Sequence, residues 1–329
     1  QNVTRVNDTV PTCPQSLQAA GYHTAQIGKT HLYTHLPWPG GHMNGQAGIL
    51  HHYGFTETHE TAGKEASLRV DSLYTDYLQK HGLLEEYRTY LASRNKHVLE
   101  DNPEMEAAKA WNADPLPLPP HAHQDVWVGD YAADWVRSYE REAPFFLQVC
   151  FAGPHDPWDA PEEALAEYGD PDMTMPGSFE PPEIPESGPL SVFLNVLTEY
   201  CDTDTMTPEA VAKARRAYQA NTMMIDQGIG KIIDRIDRAL VSGAIMGEHR
   251  MMKKMVFYDA SVRVPLIVRP PGGMDPRTVD GIVELTDIAA TFRDIAGADL
   301  PTSQFQSLLP AIDGQDVGKE VAISEAYGV

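Results

Sequence analysis

The sequence predicts an α/β fold, a three-layer α/β/α arrangement around a mostly parallel central sheet. Short apolar strand patterns alternate with helical ones along the chain, the signature of strands linked by crossover helices. The run Phe145-Phe146-Leu147-Gln148-Val149-Cys150-Phe151 is nearly continuous in apolar residues. Parallel strands buried on both faces read this way. A chain of 329 residues with 42% hydrophobic content also has enough material for one large core or two smaller ones.

The elements follow in order. Pro14 in a first helical turn and Gly21 as a stop bound a helix over 14–20. A strand over 22–27 comes next, then a Gly- and His-rich loop over 31–53. Residues 67–110 are polar and largely helical. The stretch Pro115-Leu116-Pro117-Leu118-Pro119-Pro120 is an extended connector. A helix around 128–140 leads into the strand over 144–151, and the Pro- and acid-rich residues 160–190 form a surface excursion. Residues 208–240 make a long amphipathic helix, with Met223, Met224, Ile225, Ile229, Ile232, Ile233 and Ile236 at near-helical spacing. A buried strand over 264–268, a Pro-Gly turn, a helix over 285–296 and a strand over 321–324 complete the pattern.

Composition excludes some partners. Lys and Arg total 25 against 47 Asp and Glu, a net charge of −22. A field of that sign argues against nucleic acid and anionic membrane. An anionic substrate must then be drawn in by a local cationic pocket. No apolar run reaches membrane-spanning length, and Gln1 opens no signal-peptide pattern. Cys13, Cys150 and Cys201 are widely spaced and form neither a metal-ligand pattern nor a disulfide framework. An odd count fits a reducing, cytoplasmic compartment. The chain does not start with Met, so a processed N-terminus, and with it a periplasmic or secreted location, stays open.

Two places carry candidate chemistry on residue type alone. Lys29 and His31 follow a short strand and Gly28. At i and i+2 of an extended segment they face one side, a fixed cation beside a group that titrates near neutrality. That pair suits an anionic substrate whose leaving oxygen needs a proton; it equally suits a strand end with two exposed polar residues. His155, in Gly153-Pro154-His155-Asp156-Pro157-Trp158, lies just past a buried strand's carboxyl end, where open α/β sheets bind ligands. Flanking prolines stiffen its turn, and packing on Trp158 is the alternative. The pairs His51-His52 and His121-Ala122-His123 lack carboxylates at useful spacing and read as surface-loop histidines.

The run Gly21-Tyr22-His23-Thr24-Ala25-Gln26-Ile27-Gly28-Lys29-Thr30-His31-Leu32 resembles the G-Y-x-T-A-x-x-G-K-x-H-L motif of the sulfatases, the arylsulfatase-like branch of the alkaline phosphatase superfamily. Further segments resemble the family in order. These are the strand followed by Pro154-His155-Asp156-Pro157, Lys254-Met255-Val256-Phe257-Tyr258-Asp259-Ala260-Ser261-Val262-Arg263-Val264-Pro265, Asp226-Gln227-Gly228-Ile229-Gly230, and Ser307-Leu308-Leu309-Pro310. Together they run from about residue 11 to 325. The resemblance implies an alkaline-phosphatase-like fold and hydrolysis of a small anionic ester. Sulfate esters come first. Phosphonate monoesters or phosphodiesters on the same scaffold, or a non-catalytic anion-binding scaffold, are the alternatives.

By the same resemblance Lys29 and Lys254 stabilise charge on the transferred group. His155 binds that group or protonates the leaving oxygen, and His31 assists turnover of the covalent adduct. The resemblance also implies a divalent metal ion (Ca, Mg, Mn or Zn), a formylglycine nucleophile and a possible homo-oligomer. Here the sequence departs from the family. Cys13 sits in Thr12-Cys13-Pro14-Gln15-Ser16, which is not C-x-P-x-R, and reads as a helix start. The D-H-G or D-N-G strand is not found near 240–241. The expectation is therefore a single sulfatase-type catalytic domain over 1–329, incomplete at its N-terminus, around 240–241 and at its C-terminus, with nucleophile and metal ligands outside the sequence.

Overall fold

A computed structural model of the protein describes residues 9, 11–33, 41–94, 113–173, 177, 179–200, 203–234, 245–246, 252–253, 259–270, 273, 275–298, 305–315 and 319–323. The chain enters through α1 (Cys13–Ala19). Thr12 Oγ1 accepts the Gln15 N–H at 3.3 Å, and the Gln15 side chain accepts the Thr12 N–H at 2.9 Å. This capping box satisfies two otherwise orphaned donors. Gly21, at φ +91°, turns the chain into β1 (His23–Gly28).

Then come α2 (Ala47–His52), β2 (Glu57–Glu60), α3 (Leu73–Lys80) and α4 (Leu84–Ala92). After these, α5 (Gln124–Arg137), β3 (Phe145–Cys150), α6 (Glu162–Tyr168), α7 (Pro189–Tyr200) and α8 (Pro208–Ile233) follow. A short pair, β4 (Ile245–Met246) and β5 (Met252–Lys253), and then α9 (Asp259–Val262), α10 (Asp287–Ala296) and α11 (Leu309–Ile312) complete the described elements. No described helix is long and apolar enough to cross a membrane.

The central sheet has the order β2-β1-β3, and both pairings are parallel. Gly28 lies opposite Glu60 on one side and Cys150 on the other, so all three strands end at one edge. Alternation of side chains then builds the layers. His23 stacks on Trp135 of α5, and Phe145 meets the same ring edge-on. Ile27, Leu147 and Val149 pack with Val128 and Ala132 of α5. On the opposite face, Phe146 meets Phe292 of α10 at 5.4 Å between ring centroids, and α1 packs against α10 and β1. Helices therefore cover both faces of a parallel sheet, the predicted three-layer class.

Two glycines set the approach of α5 to α8. A Cβ on Gly129 would come 2.7 Å from the Gly228 Cα, too close for any real side chain.

Several sequence expectations need correction. The loop over 31–53 contains α2. Its carboxyl end is closed by the Phe55 N–H, which donates to the Leu50 carbonyl at 3.1 Å. The strand β2 went unpredicted because it carries no apolar pattern. The helix predicted at 128–140 begins at Gln124, because the His123 ring caps it by accepting the Asp125 N–H at 3.2 Å. The excursion over 160–190 contains α6, whose Ala164 and Leu165 are buried against α8. Residues 264–268 and 321–323 are described without strand structure.

The apolar run of β3 predicts burial on both faces, yet all six of its residues are only half-buried. Among the described residues it pairs with β1 alone. Its outer side borders a cavity of about 270 Å³ lined by Phe146, Gln148, Ile232, Leu266, Val268 and Phe292, among others. Leu266 and Val268 thus contribute surface to a cavity where the sequence suggested a strand ladder.

Candidate active site

Of the four residues singled out by sequence, three lie at the carboxyl edge of the sheet. Lys254 falls outside the described residues. Gly28 ends β1 at φ +94°, and a Cβ there would collide with the Cys150 carbonyl oxygen. Only glycine fits both constraints. The chain leaves the strand at that point, with the Lys29 N–H still donating to the Cys150 carbonyl at 2.9 Å. Lys29 is consequently half-buried and His31 exposed. Both lie beyond the ladder, so the alternation rule of a pleated strand does not act on them. Thr30 between them is buried, its hydroxyl donating to Glu60.

His155 stands five positions past the end of β3, at the same sheet edge. Its Nδ1–H donates to the Asp156 carbonyl at 2.8 Å, with the Asp156 carboxylate 3.1 Å away. That bond fixes the neutral tautomer with Nε2 as the basic nitrogen. The residue does not pack into the core; Trp158 does, at 1% exposure. The loop is anchored from below. Asp125, in the first turn of α5, accepts the Gly153 N–H at 2.8 Å.

Beneath the loop is a buried ionic cluster that the sequence did not reveal. Lys64 Nζ donates to Asp159 Oδ1 at 2.5 Å and to the Pro157 carbonyl at 3.3 Å, and stands 3.8 Å from Asp125. His123 Nε2–H and the Asn221 amide donate to the same Asp159 oxygen at 3.1 and 3.3 Å. His123 is completely buried, a correction to its reading as a surface-loop histidine; His51, His52 and His121 are exposed. Burial alone would neutralise these groups. Against it, the Lys64 charge and His123 hold the Asp159 carboxyl well below the usual range. Asp159 and Asp125 in turn outweigh burial at Lys64 and raise its ammonium above an ordinary lysine. The cluster is an ion pair. The signal available in the sequence was Asp159 itself, the residue directly after the His155 motif, but its partners lie 95 and 36 residues away.

Cys13 is the first residue of α1, and burial pushes its thiol up to about 11. A thiol so protonated is a poor nucleophile, consistent with a helix-start role. Among the described residues, no group of three or more His, Cys, Asp and Glu is placed to hold a metal ion.

A family model described as Sulfatase matches residues 2–298. An arylsulfatase of Clostridium perfringens is 26% identical over 309 residues, covering 89% of this chain and 60% of that protein. A choline-sulfatase of Rhizobium meliloti is 30% identical over 202 residues, 57% of this chain and 39% of that protein. The chain thus spans at most about three-fifths of these curated relatives. Among solved structures, a phosphonate monoester hydrolase from Silicibacter pomeroyi superposes with a TM-score of 0.70 at 18% identity, over 96% of this chain and 63% of that one. At that identity the superposition speaks for the fold.

Proposed function

The chain belongs to the sulfatase family, and from that premise we propose that the protein hydrolyses sulfate esters, with Lys29 and His155 contacting the transferred group. The match across residues 2–298 carries the reading. Supporting it, both residues follow the carboxyl ends of adjacent parallel strands, the edge at which such sheets bind ligands. The Lys29 ammonium supplies fixed positive charge against oxygens that gain charge as the ester bond breaks. His155, with Nδ1–H committed to Asp156, leaves Nε2 as the nitrogen that takes up a second proton, and in that protonated form it can donate to a non-bridging or leaving oxygen. His31, exposed beside Lys29, is assigned to turnover of the covalent adduct, and Lys254 to a second cationic contact.

Family membership implies a metal ion and a formylglycine in general. The described residues do not form a metal cage, so the metal ligands and the nucleophile are assigned to none of them. The substrate is a small anionic ester. With a molecular charge of −22, its capture depends on these local cations.

Turnover of 4-nitrophenyl sulfate, a phenyl phosphonate monoester and bis(4-nitrophenyl) phosphate by the full-length protein tests the reading. The sulfate is expected to give the highest kcat/KM. Lys29→Ala is expected to lower it about 100- to 1000-fold, as removal of one preorganised charge-stabilising donor does elsewhere. A preference for the phosphonate would move the protein to the alternative chemistry. Unchanged turnover in both Lys29→Ala and His155→Ala would remove these residues from the site.

A further inference from the structure

The two arms of the candidate site meet the same short stretch of chain. Glu60-Thr61-Ala62-Gly63-Lys64 leaves the end of β2 and runs between them. All of it is buried, and every residue grips something. The Glu60 carboxylate accepts the hydroxyls of Thr30 and of Tyr33, the latter at 2.5 Å. These two residues bracket His31. The Thr61 N–H donates to the Gly28 carbonyl at 3.1 Å.

Gly63 lies under the Lys29 side chain: a Cβ at this position would come 3.1 Å from Lys29 Cε and 3.3 Å from Nζ. Lys64 then reaches the other arm, through the Pro157 carbonyl and Asp159. Gln124 ties the stretch to α5 by donating to Thr61 Oγ1 at 3.1 Å and to the Ala62 carbonyl at 2.8 Å.

We propose that residues 60–64 are a clasp that sets the spacing between the Lys29–His31 arm and the His155 arm, with Glu60 and Lys64 as positioning residues. The inference rests on the reading of Lys29 and His155 as substrate-binding groups. Lys64 does not itself meet substrate, because its side chain is 1% exposed. Nor does stability explain an ammonium placed there. Burying an ion pair costs about as much in desolvation as the pair returns, whereas it fixes geometry through directional bonds. Here the directional bonds end on the residues two and four positions after His155.

The test compares full-length variants turning over 4-nitrophenyl sulfate, alongside the imidazole NMR shifts of His155. Lys64→Met combined with Asp159→Asn removes both charges together, and the asparagine oxygen still accepts from His123 and Asn221. Asp125 keeps its charge and loses its cation in this variant, so the thermal midpoint is expected to fall. Assayed below that midpoint, the folded variant is expected to lose kcat by about 10- to 100-fold, as a displacement of reacting groups of about 1 Å does, and to shift the His155 resonances. Gly63→Ala alters no charge and crowds Lys29 alone. It is expected to raise KM with the His155 resonances unmoved.

Wild-type kcat, KM and His155 shifts in both folded variants would overturn the clasp. If the double variant fails to fold, Gly63→Ala and Glu60→Gln decide, and wild-type kinetics in both would overturn it. Lys29→Ala and His155→Ala separate the two ideas. Loss of turnover in these with none in the clasp variants sinks the clasp alone. Wild-type turnover in these sinks the functional reading, and the His155 shift of the double variant then decides whether the clasp still holds that loop.

Discussion

Glu57 shows how a single carboxylate organises the amino end of the sheet, opposite to the candidate site. Its two oxygens accept from His23 Nε2 at 3.0 Å, His59 Nε2 at 2.7 Å and Trp135 Nε1 at 3.0 Å. Burial pushes its pKa up, but those donors outweigh burial and hold it down, from 4.5 to about 2. A depressed carboxylate stabilises the fold fully above its unfolded value and loses that contribution as pH falls through its folded value. The protein is therefore expected to lose stability between about pH 4.5 and pH 2.

Glu57→Gln is expected to flatten that part of a urea-midpoint against pH curve. At neutral pH it should cost about 1–2 kcal/mol, a full-shift figure discounted for partial exposure. Equal slopes in the two proteins would remove Glu57 from the account. At this same scale the sequence was least legible. Lys29, His31 and His155 could be singled out because a cation or histidine next to a strand end is a local pattern. The burial of His123 depends on Lys64, Asp159 and Asn221, all remote in sequence, and no local pattern encodes it.

For the elements, legibility followed hydrophobicity. β3, α8 and α10 were found because apolar residues recur at strand or helix spacing, and Gly297 at φ +60° closes α10 where the sequence placed its stop. β2 was missed because Glu57-Thr58-His59-Glu60 is polar throughout. Its side chains are satisfied by hydrogen bonds to His23, Trp135, Thr30 and Tyr33, a kind of burial that periodicity cannot register. The apolar run over 264–268 failed in the opposite way: among the described residues no strand pairs with it, and hydrophobicity alone makes no ladder.

The α5–α8 crossing gives a prediction at this scale. Alanine is preferred to glycine in a helix interior by about 1 kcal/mol. Overpacking a tight contact costs about 1–3 kcal/mol, so the contact wins at Gly129. Gly129→Ala is expected to lower the unfolding free energy by up to about 2 kcal/mol. Gly230→Ala on α8, whose Cβ would meet nothing within 4 Å, is expected to raise it by about 0.5–1 kcal/mol. Chemical denaturation reads both. A rise in both variants would mean that the close approach does not limit the packing.

The whole molecule carries a charge of −22, and such self-repulsion works against the compact state. Raising ionic strength from about 0.01 to 0.15 M shortens the screening length from about 30 to 8 Å. The thermal midpoint is expected to rise by about 2–4 °C, equivalent to about 1 kcal/mol for a domain of this class. A midpoint that falls with salt would show that specific ion pairs, such as Lys319 with Glu284 and Asp287, outweigh the overall field.

Gly28 has a consequence for how such a protein can diversify. The residue that turns the chain out of β1 accepts no side chain, since the Cys150 carbonyl occupies the space. The takeoff point of the Lys29 arm is thus frozen by sterics. Selection for a new ester can still reshape the solvent-facing ends of that arm and of the His155 loop, where His31 and His155 are exposed. Libraries that randomise those ends while leaving 28 and 60–64 untouched should return folded, altered-specificity clones far more often than libraries spread evenly over the site.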